Sequence, residues 1–212
     1  VSTIEGLISA EKFNIQRVEI CENLELDGLT PSLAIQNIAR EKYNGSKYIM
    51  IRPHARSFFY NTEHLKVMKE SIKSAKNHGA EGVVFGALND GKIDFKINEE
   101  LLYTAHQLNL KCTFHKAIDS CNHVKQSLIE LSEMGFDWVL TSGGKKNAEL
   151  GIKNLIEMSH IPNRKIKILV GGGISPINCQ KFNNIGIDGL HFSIDKNKIV
   201  EEKKIELIME KI

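Results

Sequence analysis

Residues 166–178, IKILVGGGISPIN, decide the fold, because an apolar run meets three consecutive glycines and then the residues that begin a helix. The first five residues are typical of a buried strand. The glycines at 171–173 let a ligand approach the main chain, and Ser175 followed by Pro176 predicts a helix, which we expect to end near Gly186. Unpaired amides at such a loop attract anions, although the triplet is also compatible with a plain tight turn.

The same alternation of strand and helix patterns runs through the rest of the chain. An opening helix is predicted from Ser2-Thr3-Ile4-Glu5, which has the spacing of a capping box, and no strand pattern stands in front of it. Apolar runs predict further strands at 17–21, 48–52, 82–88, 111–115, 138–141 and 189–193. Capped or amphipathic segments predict further helices at 30–43, 62–78, 98–108, 122–134, 147–158 and 200–212.

Seven strands alternating with helices predict an α/β fold, a TIM-type (β/α)8 barrel that lacks its first strand, as one domain over residues 1–212. A doubly wound open sheet also accepts seven parallel strands. The even length of the units and the polar residues at most strand ends favour the barrel. We expect the first strand upstream of the given sequence; if it is truly absent, the barrel should be open between the strands at 17–21 and 189–193.

Composition limits the classes of function. The chain has 212 residues, 42% of them hydrophobic, which fits one sizeable soluble domain. Its net charge of +2 comes without a basic block, so nucleic acid is not an expected partner. No run of about 18 apolar residues predicts a membrane span. Four cysteines without a CxxC pair favour free thiols in a reducing compartment, and we expect the cytoplasm.

Eight short motifs occur in one order along the chain, most of them at the ends of predicted strands. They are Glu19-Ile20-Cys21, Leu29-Thr30-Pro31-Ser32, Met50-Ile51-Arg52-Pro53, Val84-Phe85-Gly86-Ala87-Leu88, Thr113-Phe114-His115, Leu140-Thr141-Ser142-Gly143, Gly171-Gly172-Gly173 and His191-Phe192-Ser193. Together they resemble the CutC family, which is linked to copper homeostasis. The resemblance implies a TIM-type barrel with a strand before the first helix, and it suggests self-association into a homo-oligomer.

This chain also departs from the family pattern. Members commonly read Arg-Pro-Arg-Gly-Gly-Asp-Phe where this chain has Arg52-Pro53-His54-Ala55-Arg56-Ser57-Phe58, and Lys116 stands where arginine usually follows the histidine. Loops after barrel strands form the active face, so these changes are expected to alter specificity rather than the scaffold.

Alternate residues of a barrel strand point inward, and this parity predicts a catalytic group of Glu19, Arg52, His115 and His191 at the upper rim. Glu19 is a candidate base, His115 an acid or base, and Arg52 a clamp for an oxyanion or carboxylate. Alternatively, Glu19 and Arg52 form a buried ion pair, and His115 is a structural histidine. Asp119 is predicted to cap the helix that follows it.

A small anionic ligand is the partner predicted from the loops. Ser142, Gly143, Gly172 and Gly173 are candidate anion-binding residues on neighbouring loops, and Ser193 follows the eighth strand position, where barrels often bind phosphate. Serine and glycine at such junctions are also ordinary turn residues.

A copper ion is the alternative partner. Cu(I) prefers thiolate and thioether ligands, and Cys21 is the cysteine that strand parity places at the rim. The family often has a second cysteine near the end of its first strand, which this chain lacks. Met50 is expected deeper, as barrel filler, and Cys112 should face the helices. Three hypotheses follow: a Cu(I)-binding protein, a lyase or isomerase acting on a small phosphorylated or carboxylated metabolite, and a non-catalytic interaction module.

Overall fold

A curled sheet of seven parallel strands forms the centre of the computed structural model, which describes residues 1–196 and 198–212. Neighbours in the sheet follow chain order, and β1 and β7 lie at its two edges. The predicted barrel with an unfilled first position is confirmed. The strands are β1 Arg17–Ile20, β2 Ser46–Met50, β3 Gly82–Phe85, β4 Lys111–Phe114, β5 Trp138–Thr141, β6 Lys167–Val170 and β7 Gly189–Leu190.

Helices follow the strands and cover the outside of the sheet. The α-helices are α1 Ile4–Lys12, α2 Leu33–Lys42, α3 Thr62–Asn77, α4 Phe95–Gln107, α5 Val124–Met134, α6 Ala148–Ser159 and α7 Glu202–Met209. Short 3-10 turns lie at Leu24–Leu26, Lys116–Ser120 and Cys179–Phe182. No helix in the described ranges is long and apolar enough to cross a membrane.

The residues before α1 lie along the free edge of β1. The amide of Cys21 donates to the carbonyl of Val1 at 3.0 Å, at the place where a first strand would pair. The predicted capping box is wrong, because the N-cap is Thr3 rather than Ser2. The Thr3 hydroxyl accepts from the amide of Gly6 at 3.0 Å and donates to Asp195 at 2.8 Å.

Strand parity separates an apolar core from a polar interior. Outward residues such as Ile20, Phe85 and Ile168 are fully buried between sheet and helices. Inward residues include Glu19 and Thr113, which are also buried. The helices therefore pack on hydrophobic side chains, while the barrel interior carries the groups capable of chemistry.

The helix predicted to end near Gly186 does not form. Asn178 accepts from the amide of Ser175 at 2.8 Å and donates to the carbonyl of Gly173 at 2.8 Å. These bonds fold the loop back on itself, and only the 3-10 turn Cys179–Phe182 follows. An asparagine side chain that bonds to nearby backbone competes with helix formation, which explains the error.

Two predicted strands are too long. The strand expected at 82–88 ends at Phe85, and Leu88–Asn89 instead pairs antiparallel with Lys92–Ile93. Asp90 and Gly91 both have positive φ in the turn between them, as a tight hairpin requires. The last strand pairs only at Gly189–Leu190, so the rest of 189–193 is a loop at the mouth.

Candidate functional site

A cavity of about 850 Å³ opens at the carboxyl ends of the strands. In a parallel barrel this end carries the loops that build active sites. Predicted site residues that line it are Glu19, Cys21, Arg52, His115, Gly172, Gly173, His191 and Ser193. Lys116, Asp119 and Phe58 line it as well, whereas Ser142 and Gly143 do not contact it directly.

Glu19 is held by Arg17, a residue that the sequence interpretation missed. The Arg17 guanidinium donates to the Glu19 carboxylate at 2.7 Å and to the Thr113 hydroxyl at 2.7 Å. It also lies 3.6 Å from the ring centroid of Tyr48, in cation–π contact. The alternative in which Glu19 pairs with Arg52 is therefore wrong. Arg17 is two residues before Glu19, and the same strand parity was the signal that could have identified it.

His191 approaches the second oxygen of Glu19 across the open edge of the barrel. The His191 Nδ1 atom lies 3.8 Å from Glu19 Oε2, beyond a direct hydrogen bond. Desolvation by the surrounding protein lowers the pKa of His191, and the Glu19 carboxylate opposes that shift. A carboxylate and a histidine of this kind are suited to exchanging a proton with a ligand in the adjoining cavity.

His115 is neutral at physiological pH. Its ring is 4% exposed, and burial, with a further contribution from Arg52, lowers the pKa of His115 to about 3. Nδ1 accepts from the amide of Ala117 at 3.3 Å, so the neutral ring carries its proton on Nε2. Nε2 has no hydrogen-bond partner in the described residues. A neutral imidazole of this kind is suited to donating a hydrogen bond, not to serving as an imidazolium acid.

Arg52 supports the loop after β1. Its Nη1 atom donates to the carbonyls of Leu26 at 2.7 Å and Gly28 at 3.0 Å. The guanidinium lies 5.1 Å from the ring centroid of Phe58, and its Nε atom is buried without a partner in the described chain. The side chain is only 4% exposed, yet it borders the cavity.

Asp119 organises the loop after β5 and does not cap a helix, so the predicted capping role is wrong. It lies within the 3-10 turn and accepts from the amides of Ser142 at 2.9 Å and Gly144 at 2.8 Å. The Thr141 hydroxyl also donates to it. Ser142 was predicted as an anion-binding residue, but its amide is already satisfied by this internal carboxylate. The Gly143 amide, likewise, donates to Thr141.

Lys116 joins this network to the glycine loop. Its ammonium donates to Asp119 at 2.9 Å and to the Ser142 hydroxyl at 2.8 Å. A Cβ at residue 172 would lie 3.0 Å from the Lys116 Nζ atom, so this glycine lets the loop backbone approach the cation. Gly172 and Gly173 have φ of +96° and +83°, a region that glycine adopts without strain. No acceptor for their amides is found within the described chain.

Ser193 is partly committed to the loop beyond β7. Its hydroxyl donates to the carbonyl of Asp195, and its own carbonyl accepts from Lys204 at 2.9 Å. It borders the same cavity as Gly172 and Gly173. The predicted anion site is therefore narrowed to the glycine loop, the neighbouring Lys116 and the rim beside Ser193.

The thiols are distributed over both ends of the barrel. Cys21 is 5% exposed at the cavity, and burial raises the pKa of its thiol. It packs in a small cluster that includes Met50. His106, Cys112 and Asp137 also lie together, with ligand atoms within 4.8 Å, but at the opposite end of the barrel.

The open barrel and its mouth define a class of protein: an α/β barrel with a polar ligand cavity at the carboxyl ends of its strands. Among families, the CutC family model matches residues 1–196. A CutC family protein of Vibrio cholerae is 37% identical over 195 residues, covering 91% of this chain and 77% of that protein. This chain belongs to the CutC family.

Solved structures agree with this assignment. CutC from Streptococcus agalactiae superposes with a TM-score of 0.82 at 31% identity, covering 90% of this chain and 94% of that one. The 3-hexulose-6-phosphate synthase of Salmonella typhimurium has a TM-score of 0.64 at 16% identity, covering 96% and 89%. That second likeness concerns the fold alone.

Proposed function

We propose that this protein binds a small anionic metabolite in the barrel mouth and transfers a proton to or from it, in the manner of a lyase or isomerase. The observation that carries the proposal is the cavity itself, where the Lys116 ammonium and the glycine loop stand on one wall. Backbone amides and a lysine at the end of a barrel strand are typical recognition groups for phosphate.

Glu19 and His191 supply the acid–base chemistry in this proposal. Arg17 neutralises Glu19 and fixes one of its oxygens, which leaves the oxygen nearer His191 for the ligand. His115 lines the same cavity, and its neutral Nε2–H group has no partner in the described residues, so it would be available to stabilise charge that develops on a bound oxygen. Arg52 is a second cation at the rim.

Titration with methylphosphonate, followed by amide NMR, tests the binding step. We expect the resonances of Gly172 and Gly173 to shift, and Lys116→Met to weaken binding at least about tenfold, because it removes the charge beside the loop. Lys125→Met is the matched control, since Lys125 pairs with Glu157 on the outer helices. Glycine-loop resonances that do not move, or equal losses in both variants, would contradict the proposal.

Cu(I) binding is a second candidate function, and one observation favours it. A Cβ at residue 28 would lie 3.1 Å from the Cys21 sulfur and 3.6 Å from the Met50 methyl group, so a thiol and a thioether side chain meet at one point of the cavity wall. The S. agalactiae relative carries a copper homeostasis name. Cu(I) favours two or more soft ligands, and Cys21 with Met50 would be the ligands here.

Anaerobic competition against a chromophoric Cu(I) chelator tests this second candidate. Cys21→Ser and Met50→Leu should each lower Cu(I) affinity, whereas Cys121→Ser should not. Equal Cu(I) affinity in the wild type and all three variants would exclude a site at the rim.

We also propose that the protein is a single domain, that it is cytoplasmic and that it self-associates. Analytical ultracentrifugation of the full-length protein tests the self-association.

A further inference from the structure

Arg52 is a buried cation without an acidic partner. Its side chain is 4% exposed, and its guanidinium contacts only neutral acceptors in the described chain, the carbonyls of Leu26 and Gly28 and the Tyr60 hydroxyl. None of the ion pairs among the described residues includes it. Taking a guanidinium out of water costs several kcal/mol unless a counter-charge compensates, so an unpaired one calls for an anion.

The groups around Arg52 do not supply that anion. Arg52 contributes to lowering the pKa of both His115 and His54, so its imidazole neighbours favour the neutral form. The Tyr60 hydroxyl lies beside Arg52, but burial raises the pKa of Tyr60 to about 12 although Arg52 opposes that shift, so this group is also neutral. Of the carboxylates that line the same cavity, Glu19 is paired with Arg17 and Asp119 with Lys116. Asp27 is exposed and forms no ion pair with Arg52 among the described residues.

Arg52 and the glycine loop lie on opposite walls of the mouth. Arg52 follows β2 and Gly172 follows β6 by two residues each, four strands apart in the sheet. In a ring of eight positions, strands four apart face one another. The cavity of about 850 Å³ lies between these walls, and both residues line it.

We propose that the ligand carries an acidic group at each end, a phosphoryl group at the glycine loop and Lys116 and a carboxylate at Arg52. This inference rests on the proposed function and names its substrate class: a short phosphorylated carboxylic acid. Arginine suits the carboxylate because its planar fork matches that group. With Nη1 bound to two carbonyls, the Nε and Nη2 edge of Arg52 remains, and one such edge matches the two oxygens of a carboxylate.

Four probes at constant ionic strength test the proposal by calorimetry. 3-Phosphonopropionate has both acidic groups, 3-phosphonopropionamide replaces the carboxylate with a neutral amide of similar shape, and methylphosphonate and propionate have one group each. We expect 3-phosphonopropionate to bind at least about tenfold tighter than its amide. Arg52→Gln should abolish that difference, because it weakens 3-phosphonopropionate more than it weakens the amide or methylphosphonate. Lys116→Met should weaken all three phosphonates.

The outcomes separate this inference from the proposed function. If methylphosphonate binds at the glycine loop but the acid and the amide bind equally, the two-ended ligand is excluded while the anion site stands. If methylphosphonate does not bind at the glycine loop, the anion site of the proposed function is excluded, and the two-ended ligand is excluded with it.

A wild-type measurement covers the possibility that Arg52→Gln does not fold, since Nη1 supports the loop at Leu26 and Gly28. In protein labelled with ¹⁵N-arginine, the Arg52 guanidinium resonances should shift with 3-phosphonopropionate and not with its amide. Equal shifts with both probes, or none, would overturn the inference.

Discussion

Arg17 and Glu19 form a charge pair inside the barrel, where the side chains are 17% and 6% exposed. Removing one member of a buried pair leaves an uncompensated charge, so Arg17→Met should lower the free energy of unfolding by about 3–5 kcal/mol. The double variant Arg17→Met/Glu19→Gln should recover most of that loss. Urea unfolding at pH 7 of the wild type, both single variants and the double variant completes a double-mutant cycle. If the effects of Arg17→Met and Glu19→Gln simply add, the pair is not coupled.

His115 makes stability depend on pH in a defined window. The folded protein holds the ring neutral, with a pKa of about 3, whereas the unfolded chain protonates it below pH about 6.5. The unfolded state therefore binds more protons between these values, so the free energy of unfolding falls as the pH falls through this window. Above pH about 6.5 the contribution of His115 is constant.

A substitution of His115 tests this pH dependence of the free energy of unfolding. His115→Asn keeps an N-cap acceptor for the amide of Ala117 and removes the titration. Between pH 6 and 4.5, we expect the variant's slope of unfolding free energy against pH to be smaller by up to about 1.4 kcal/mol per pH unit. His191 contributes in the same direction in both proteins, because its pKa is lowered too. Identical slopes would mean that His115 is not buried neutral.

Strand parity predicted which residues line the cavity, but not how they pair. Glu19, Arg52, His115 and His191 all border it, as their inward positions required. Their hydrogen-bond partners depend on side-chain reach across strands, as with Arg17 and Thr113, 96 residues apart. A pattern within one strand carries no information about such contacts, so the roles proposed for these residues remain predictions.

Three carboxylates repeat one interaction at the amino-terminal ends of the strands. Each lies directly before a strand and accepts an amide of the preceding strand, at 2.6 Å for Glu81 and 2.8 Å for Asp137 and Asp188. Each follows a glycine of positive φ by two residues, at 79, 135 and 186. The sequence shows the repeat as glycine, apolar residue, acid, and this signal was missed.

The repeat ties β2 to β3, β4 to β5 and β6 to β7. Asp137→Ala would leave the amide of Cys112 without a hydrogen-bond acceptor, so we expect the free energy of unfolding to fall by about 1–3 kcal/mol. Lys111 also pairs with Asp137 at 2.8 Å, but its side chain is 65% exposed, and Lys111→Ala should cost under about 1 kcal/mol. Chemical unfolding compares the two variants. Equal costs would assign the stabilisation to the ion pair rather than to the amide.

At the level of the whole molecule, the count and order of strands were predictable, because every βα unit repeats one hydrophobic pattern. The helix after the glycine loop was not, because Asn178 redirects that segment through side-chain bonds to backbone. Local propensity is a weak guide where a side chain competes for the same backbone groups. The hydrophobic pattern also did not predict which segments connect the free edges of β1 and β7.

The chain bridges these edges by joining the start of α1 to the segment after β7. Asp195, fully buried, accepts from the amide of Ser2 at 2.9 Å and from the hydroxyls of Ser2 at 3.0 Å and Thr3 at 2.8 Å. Asp195→Ala leaves three donors unpaired, so unfolding free energy should fall by about 2–3 kcal/mol. In a chain of this size that lowers Tm by roughly 4–12 °C.

Glu202→Ala is the matched control, because Glu202 of α7 also pairs with α1, through Lys12, but its side chain is 47% exposed. Its effect on Tm should be small, since exposed ion pairs contribute under about 1 kcal/mol. Calorimetry measures both variants, and hydrogen exchange locates the change. If Asp195 holds the open ring together, amides of β1 and β7 should lose protection before those of β4, which has a strand on each side. Uniform loss across all seven strands would instead mean that the sheet opens as one cooperative unit, with no weak edge.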